Sequence, residues 1–145
     1  MELGDVVKRS NLISIVMRSL AFIDARLVDH GERVAYIADR IAAAARLDID
    51  RDKLLILCLL HDVGAYKTEE IDEMVKFETN NVLNHAAYGY VFLKNVTALG
   101  SYAEAILYHH TPYEELSQVA EPQRTAAELI FLADRADIIV GMSVV

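Results

Sequence analysis

Proline and glycine are scarce in this chain of 145 residues, at two and six copies. Stretches that alternate β-branched and polar residues are scarce too, which argues against a strand-built fold. Cys58 is the single cysteine, so an intramolecular disulfide framework is excluded. It sits inside the apolar run Leu54 to Leu60 and reads as a buried structural thiol, in keeping with a reducing compartment. That run, about seven residues long, is the longest of its kind, far short of the ~20 that a membrane span needs. The N-terminus lacks a basic segment followed by an apolar stretch, so no secretory signal is visible and a cytoplasmic location is expected.

Positive charge is also in short supply. The net charge is −8 with a pI near 5.0, and basic clusters are as short as Lys8-Arg9. This argues against binding to a nucleic-acid polymer or to an anionic membrane, both of which need clustered Lys and Arg. A small phosphorylated substrate is compatible with it, because bound metal ions can supply the local positive field.

What the chain does contain is apolar weight: 54% of residues are hydrophobic and mean hydropathy is +0.22, while 25% are charged. Such a composition builds a single domain, 1–145, with a real core. The excess leans towards a homo-oligomer. Apolar residues recur at helical spacing. A first helix is predicted over Val6 to Ile23, with Leu12, Ile15, Val16, Ser19 and Leu20 facing inward. A second is predicted over Gly31 to Leu47, with Val34, Ile37, Ala38, Ile41 and Ala45 on its buried face.

Arg51 to His61 is apolar on nearly every side after its first turn, as expected of a buried helix, with Asp50 or Ile49 at its N-cap and Gly64 ending it. Thr68 would cap a short helix carrying Ile71, Met74 and Val75. Leu83 to Lys94 forms another. Ser101 and Glu104 have the form of a capping box opening a helix that ends at His109-His110 before Pro112. A last helix is predicted from near Pro122 to about Val140. The expected fold is all-α, a compact bundle of six to seven helices with short loops.

Chemistry is concentrated in the histidines. All five, His30, His61, His85, His109 and His110, are expected at helix starts or ends, where several helices can converge. Singly, a histidine on a helix face is ordinarily a satisfied structural residue, and a His-Asp dipeptide is common by chance. The set is informative in its order: His30, 31 residues to His61-Asp62, 24 to His85, 24 to His109-His110, and 24 from His110 to Asp134. A mixed imidazole and carboxylate shell suits first-row divalent metals such as Fe, Mn, Co or Zn.

The stretch from His30 to Ala35, followed by Leu59-Leu60-His61-Asp62-Val63-Gly64, resembles the H…HD signature of the HD superfamily of metal-dependent phosphohydrolases. Leu132-Ala133-Asp134 is similar to its closing aspartate. His85 and the His109-His110 pair resemble the extended pattern of the HD-GYP branch, which contains cyclic-di-GMP phosphodiesterases. The match runs over about His30 to Asp137.

The resemblance implies the HD-domain fold and two divalent metal ions, with Fe or Mn favoured. Asp62 would bridge them, His30, His61 and Asp134 would complete one ion, and His85, His109 and His110 would hold the other. It implies phosphoester hydrolysis by a metal-activated hydroxide, with Asp62 in the catalytic centre. Asp137, three residues past Asp134, is a rival ligand, and the family pattern favours Asp134. Neighbouring carboxylates would orient the imidazoles, though the sequence does not say which.

The chain departs from that pattern in four places. Ala65 replaces the lysine that follows the HD-x-Gly turn, leaving Lys67 as the catalytic candidate two residues on. Arg26 stands where some members carry a glutamate for a third metal, so a trinuclear site is not expected. After the double histidine the chain reads Thr111-Pro112-Tyr113-Glu114-Glu115 in place of the Gly-Tyr-Pro loop. The chain also ends soon after the aspartate helix, where family members usually continue. Cyclic-di-GMP is therefore not implied as the substrate.

Arg33, one turn beyond His30, and Tyr66 are the candidates for substrate contact, with a surface ion pair and aromatic packing as their structural alternatives. Tyr88-Gly89-Tyr90 reads as a helix-packing element, with Tyr90 and Phe92 in or beside the core. The functional expectation is a phosphohydrolase or phosphodiesterase acting on a small nucleotide-like phosphoester. The alternative is an inactive regulatory or ligand-sensing module of a signalling protein.

Overall fold

The computed structural model describes residues 9–65, 82–96 and 99–143, and every regular element among them is helical. In chain order these are α1 (Arg9–Ile23), α2 (Ala25–Ala44), α3 (Arg51–Leu60), α4 (Val82–Val96), α5 (Ala103–Leu107) and α6 (Gln123–Ser143). Short 3₁₀ turns occupy Gly100–Tyr102 and Tyr113–Gln118. The all-α expectation holds, with six α-helices among the described residues. The predicted helix after Thr68 lies outside them. No helix among the described residues is long and apolar enough to cross a membrane.

Helix α3 is buried on most sides because its sequence leaves almost no polar face. Leu54, Leu57 and Cys58 are buried in one core cluster with Val34 and Ala38 of α2, Leu93 of α4, Ile106 of α5 and Ile130 of α6. Asp50 starts the helix: its carboxylate accepts the Lys53 amide at 3.1 Å, and Asp52 in the first turn complements the dipole. Burial pushes the Cys58 thiol up to about 12, so it stays a neutral, inert core group.

Several helix boundaries differ from expectation, each for a local reason. Helix α2 begins at Ala25 rather than Gly31, because Asp24 is an N-cap whose carboxylate accepts the Arg26 amide at 2.9 Å. Gly31 is therefore inside the helix, and a Cβ there would lie 3.1 Å from the Leu59 carbonyl oxygen. It is a contact glycine, not a boundary. On α1 the side chains against the core are Val16, Met17 and Leu20. Ile15 is 59% exposed and Ser19 is exposed, its hydroxyl donating to the Ile15 carbonyl. The inward face is thus rotated from the predicted one, and Ala45 at the exposed end of α2 also leaves its predicted buried stripe.

The Ser101–Glu104 capping box does not form. Ser101 sits in the 3₁₀ turn, and the Glu104 amide donates instead to the Gln123 side chain at 3.1 Å, tying α5 to the start of α6. Pro122 stands just ahead of α6, while Glu121 accepts from the amide and hydroxyl of Thr125.

Two glycines decide how α3 meets α4. A Cβ on Gly64 would lie 2.0 Å from the His85 carbonyl oxygen and 2.6 Å from the Gly89 nitrogen. Gly89 faces back onto Gly64 and onto the Ile106 side chain. The turn after α3 is thus pressed backbone-to-backbone onto α4, which is the packing role expected of Gly89; Tyr90 and Phe92 lie beside the core. Gly64→Ala is expected to destabilise the fold by about 3 kcal/mol or more, and Gly89→Ala by about 1–2 kcal/mol. At Gly141, where a Cβ meets nothing within 4 Å, alanine should raise stability by up to about 1 kcal/mol. Denaturant unfolding of the three variants tests this ranking.

Candidate metal centre

All seven sequence-predicted ligand residues come together at one end of the bundle. His61 caps the C-terminus of α3, and Asp62 follows in the turn that Gly64 presses onto α4. His85 lies in the first turn of α4, His109 and His110 in the turn after α5, and Asp134 on α6. His30 is the exception to the helix-end expectation. It lies in the interior of α2, because that helix starts upstream at its Asp24 cap.

Two of the histidines are oriented by the helix ends they terminate. His61 Nδ1 donates to the Cys58 carbonyl at 2.7 Å, and His109 Nδ1 donates to the Ile106 carbonyl at 2.5 Å. A carbonyl oxygen can only accept, so Nδ1 carries the proton in both rings. In a neutral ring, Nε2 then presents its lone pair to the cluster. Each carbonyl also takes the backbone amide of the same histidine, at 3.5 Å for Cys58 and 3.4 Å for Ile106, so the last turn fixes main chain and ring together.

Asp62 lies between the rings. Its Oδ2 is 3.1 Å from His61 Nε2 and 3.7 Å from His30 Nε2. Its Oδ1 is 3.3 Å from His85 Nε2 and 3.7 Å from His109 Nε2. His30 Nε2 is also 3.1 Å from Asp134 Oδ1, and His85 Nε2 is 2.9 Å from His110 Nε2. The donors fall into two groups whose ligand atoms lie within 4.8 Å of one another: Asp62, His85, His109 and His110 in one, and His30, His61 and Asp134 in the other.

The electrostatics explain why these groups suit a cation. His61 Nε2, His109 Nε2, His110 Nδ1 and both Asp62 carboxylate oxygens are buried without a hydrogen-bond partner. Each such group ordinarily costs about 1–3 kcal/mol, and more when charged. Burial opposes charge on His61, but the Asp62 carboxylate beside it outweighs this and raises the imidazole to about 9. Burial likewise opposes ionisation of Asp62, and the surrounding imidazoles, His61 foremost, hold it well below the usual carboxylate range. Burial with the nearby His109 and His61 depresses His85 to about 4, and burial with His109 and His85 depresses His110 further. Without an ion, the buried carboxylate is thus matched by a proton on His61, while His85 and His110 stay neutral with lone pairs to offer. A divalent ion satisfies such a set, and a mixed nitrogen and carboxylate shell favours a transition metal.

Asp137 does not join either donor group. It lies one turn beyond Asp134 on α6, where its Oδ2 accepts from His30 Nδ1 at 2.7 Å. Arg33, the predicted substrate contact, forms an ion pair with the same carboxylate, Nε to Oδ1 at 2.7 Å and an Nη to Oδ2 at 3.0 Å. This orienting carboxylate was not assigned from sequence. Its signal was the matching one-turn spacing of His30–Arg33 on one helix and Asp134–Asp137 on another. Tyr88 is half exposed. The other substrate and catalytic candidates, Tyr66 and Lys67, lie outside the described residues. Ala65, in the place of the family's lysine, is fully buried against Leu20 and Leu27.

A sequence model of the HD domain family matches residues 27–139. The chain is 34% identical, over 149 aligned positions, to the 3′3′-cGAMP-specific phosphodiesterase 1 of Vibrio cholerae. The alignment covers 94% of this chain and 35% of that protein, so the chain spans little more than a third of the relative's length. No solved structure matches the chain.

The purified protein is expected to contain a divalent transition ion by elemental mass spectrometry, and a strong chelator should remove it. His61→Ala and Asp62→Ala should lose most of that metal while circular dichroism shows the helix content retained. A chain that takes up none of Fe, Mn, Co or Zn would contradict the assignment.

Proposed function

The chain belongs to the HD domain family, and on that premise we propose that it is a metal-dependent phosphohydrolase with a binuclear centre. The proposed substrate is a small nucleotide-like phosphoester. The observation that carries the reading is the position of Asp62, whose two oxygens face different sets of imidazoles. In the proposed assignment His30, His61 and Asp134 would hold one ion and His85, His109 and His110 the other, with Asp62 available to both. Two divalent ions, Fe or Mn by preference, would supply Lewis acidity toward phosphate oxygens and lower the pKa of coordinated water.

The chain's own contribution is preorganisation. His61 and His109 are held with Nε2 inward by backbone carbonyls, so these donors need no reorientation to bind. His61, Asp62, His85 and Asp134 are buried, so their charges act where bulk water screens them least. All seven ligands come from one chain, so the centre does not depend on the homo-oligomer that the apolar composition suggests. Lys67 is proposed to assist catalysis and Tyr66 to contact substrate. The net charge of −8 weighs against a polymeric nucleic-acid substrate.

The relative's name places 3′3′-cGAMP first among the substrates to try, ahead of other cyclic dinucleotides, mononucleotides and a p-nitrophenyl phosphodiester. A regulatory module without turnover is the second reading, favoured by the buried Ala65 where the family's lysine would stand. Metal-loaded wild-type protein is expected to hydrolyse at least one phosphodiester of the panel, and Asp62→Ala to fall to the metal-free background. Full metal content with no turnover on any of these would favour the regulatory module.

A further inference from the structure

His30 is oriented differently from the other inward-facing histidines. His61 and His109 each end a helix and use a carbonyl three residues back. His30 lies inside α2, where the preceding carbonyls belong to the helical hydrogen-bond ladder. Its ring therefore needs an acceptor from another element, and Asp137 on α6 is that acceptor, at 2.7 Å from Nδ1. One carboxylate could swing between partners, but both Asp137 oxygens are also gripped by the Arg33 guanidinium, at 2.7 and 3.0 Å. Arg33 and His30 stand one turn apart on α2, so a single helix face supplies both the ligand and the clamp.

We propose that Arg33 and Asp137 form a positioning pair that sets the metal affinity of the ion held by His30, His61 and Asp134. The inference rests on the binuclear reading above. Asp137 keeps the proton on His30 Nδ1, which leaves Nε2, beside Asp134 and Asp62, to offer its lone pair to a cation. Arg33 acts through Asp137. Its planar fork fixes both carboxylate oxygens and compensates their charge, which withholds Asp137 from the ion as a rival ligand. Arg33 is thereby a positioning residue, in place of the substrate contact expected from sequence. It holds this pair although its side chain is 57% exposed, because the partner carboxylate is nearly buried.

Full-length wild-type, Arg33→Ala, Arg33→Lys, Asp137→Asn and the Arg33→Ala/Asp137→Asn double variant should be stripped of metal and titrated with Mn²⁺ against a chelator. Apo-protein melting would be followed in parallel. Asp137→Asn, which keeps the side chain's shape, is expected to weaken one of the two ions by about 10–100-fold and leave the other nearly unchanged. Arg33→Ala should weaken the same ion, and Arg33→Lys should recover only part of the loss, since an ammonium cannot form the two-pronged contact. The double variant should be no weaker than Asp137→Asn alone, because Arg33 is held to act only through that carboxylate. Unchanged metal affinity in Arg33→Ala, with only KM raised, would overturn the inference and restore Arg33 as a substrate contact. Additive losses, or equal losses from both ions that track apo melting, would overturn it as well. In each of these cases the wild type still binds two ions and the binuclear reading stands; a wild type that binds none removes both.

Discussion

A carboxylate held away from water between two sets of imidazoles is the constraint around which this molecule is arranged. Asp62 has no hydrogen-bond partner for either oxygen, yet four ring nitrogens stand within 3.1–3.7 Å of them. Such a group is tolerated only if positive charge is supplied to it. The elements that converge on Asp62 are therefore best understood as the wall of a cation site. The apolar core, to which α2, α3, α4, α5 and α6 all contribute, backs that wall.

Convergence requires close backbone approach. Asp62 faces His85 because the following turn lies directly on α4, and that contact leaves no room for a Cβ at Gly64. Gly31 serves α2 and α3 in the same way, beside His30. At the far side, the Glu104 amide bonds Gln123, which links α5, ahead of the double histidine, to α6, which carries Asp134. Each contact joins two helices that donate to the same cluster. The chemistry and the packing thus share residues, and a change at a packing glycine is felt at the ligands.

The three best-oriented imidazoles show two ways of fixing a ring. A histidine that ends a helix finds an acceptor in its own terminal carbonyls, as His61 and His109 do. One inside a helix must borrow an acceptor, and His30 draws on Asp137. The second arrangement brings Arg33 beside the site and couples α2 to α6 through an ion pair next to the histidine–aspartate cluster. The guanidinium thus sits at the edge of the site with its charge already matched.

Much of this was legible in the residues themselves. Helical periodicity announced an all-α bundle, the apolar run of α3 announced its burial, and the ordered histidines and aspartates announced the side chains that cluster together. Those features are local or are carried by residue type, so one chain suffices to read them. Where reading failed, the deciding contact came from elsewhere in the molecule. Gly31 looked like a helix start because a glycine's cost inside a helix is local, while its reason, the Leu59 carbonyl, is on another element. Ser101 and Glu104 looked like a cap until Gln123 supplied the competing acceptor. Asp134 and Asp137 are nearly equivalent in sequence, and only the crossing of α2 over α6 puts one beside the ligand group and the other behind His30. Sequence by itself determined which groups were available; the tertiary structure decided which of them meet in the cluster and which hold the others in place, because that distinction depends on distances between helices that no local pattern encodes.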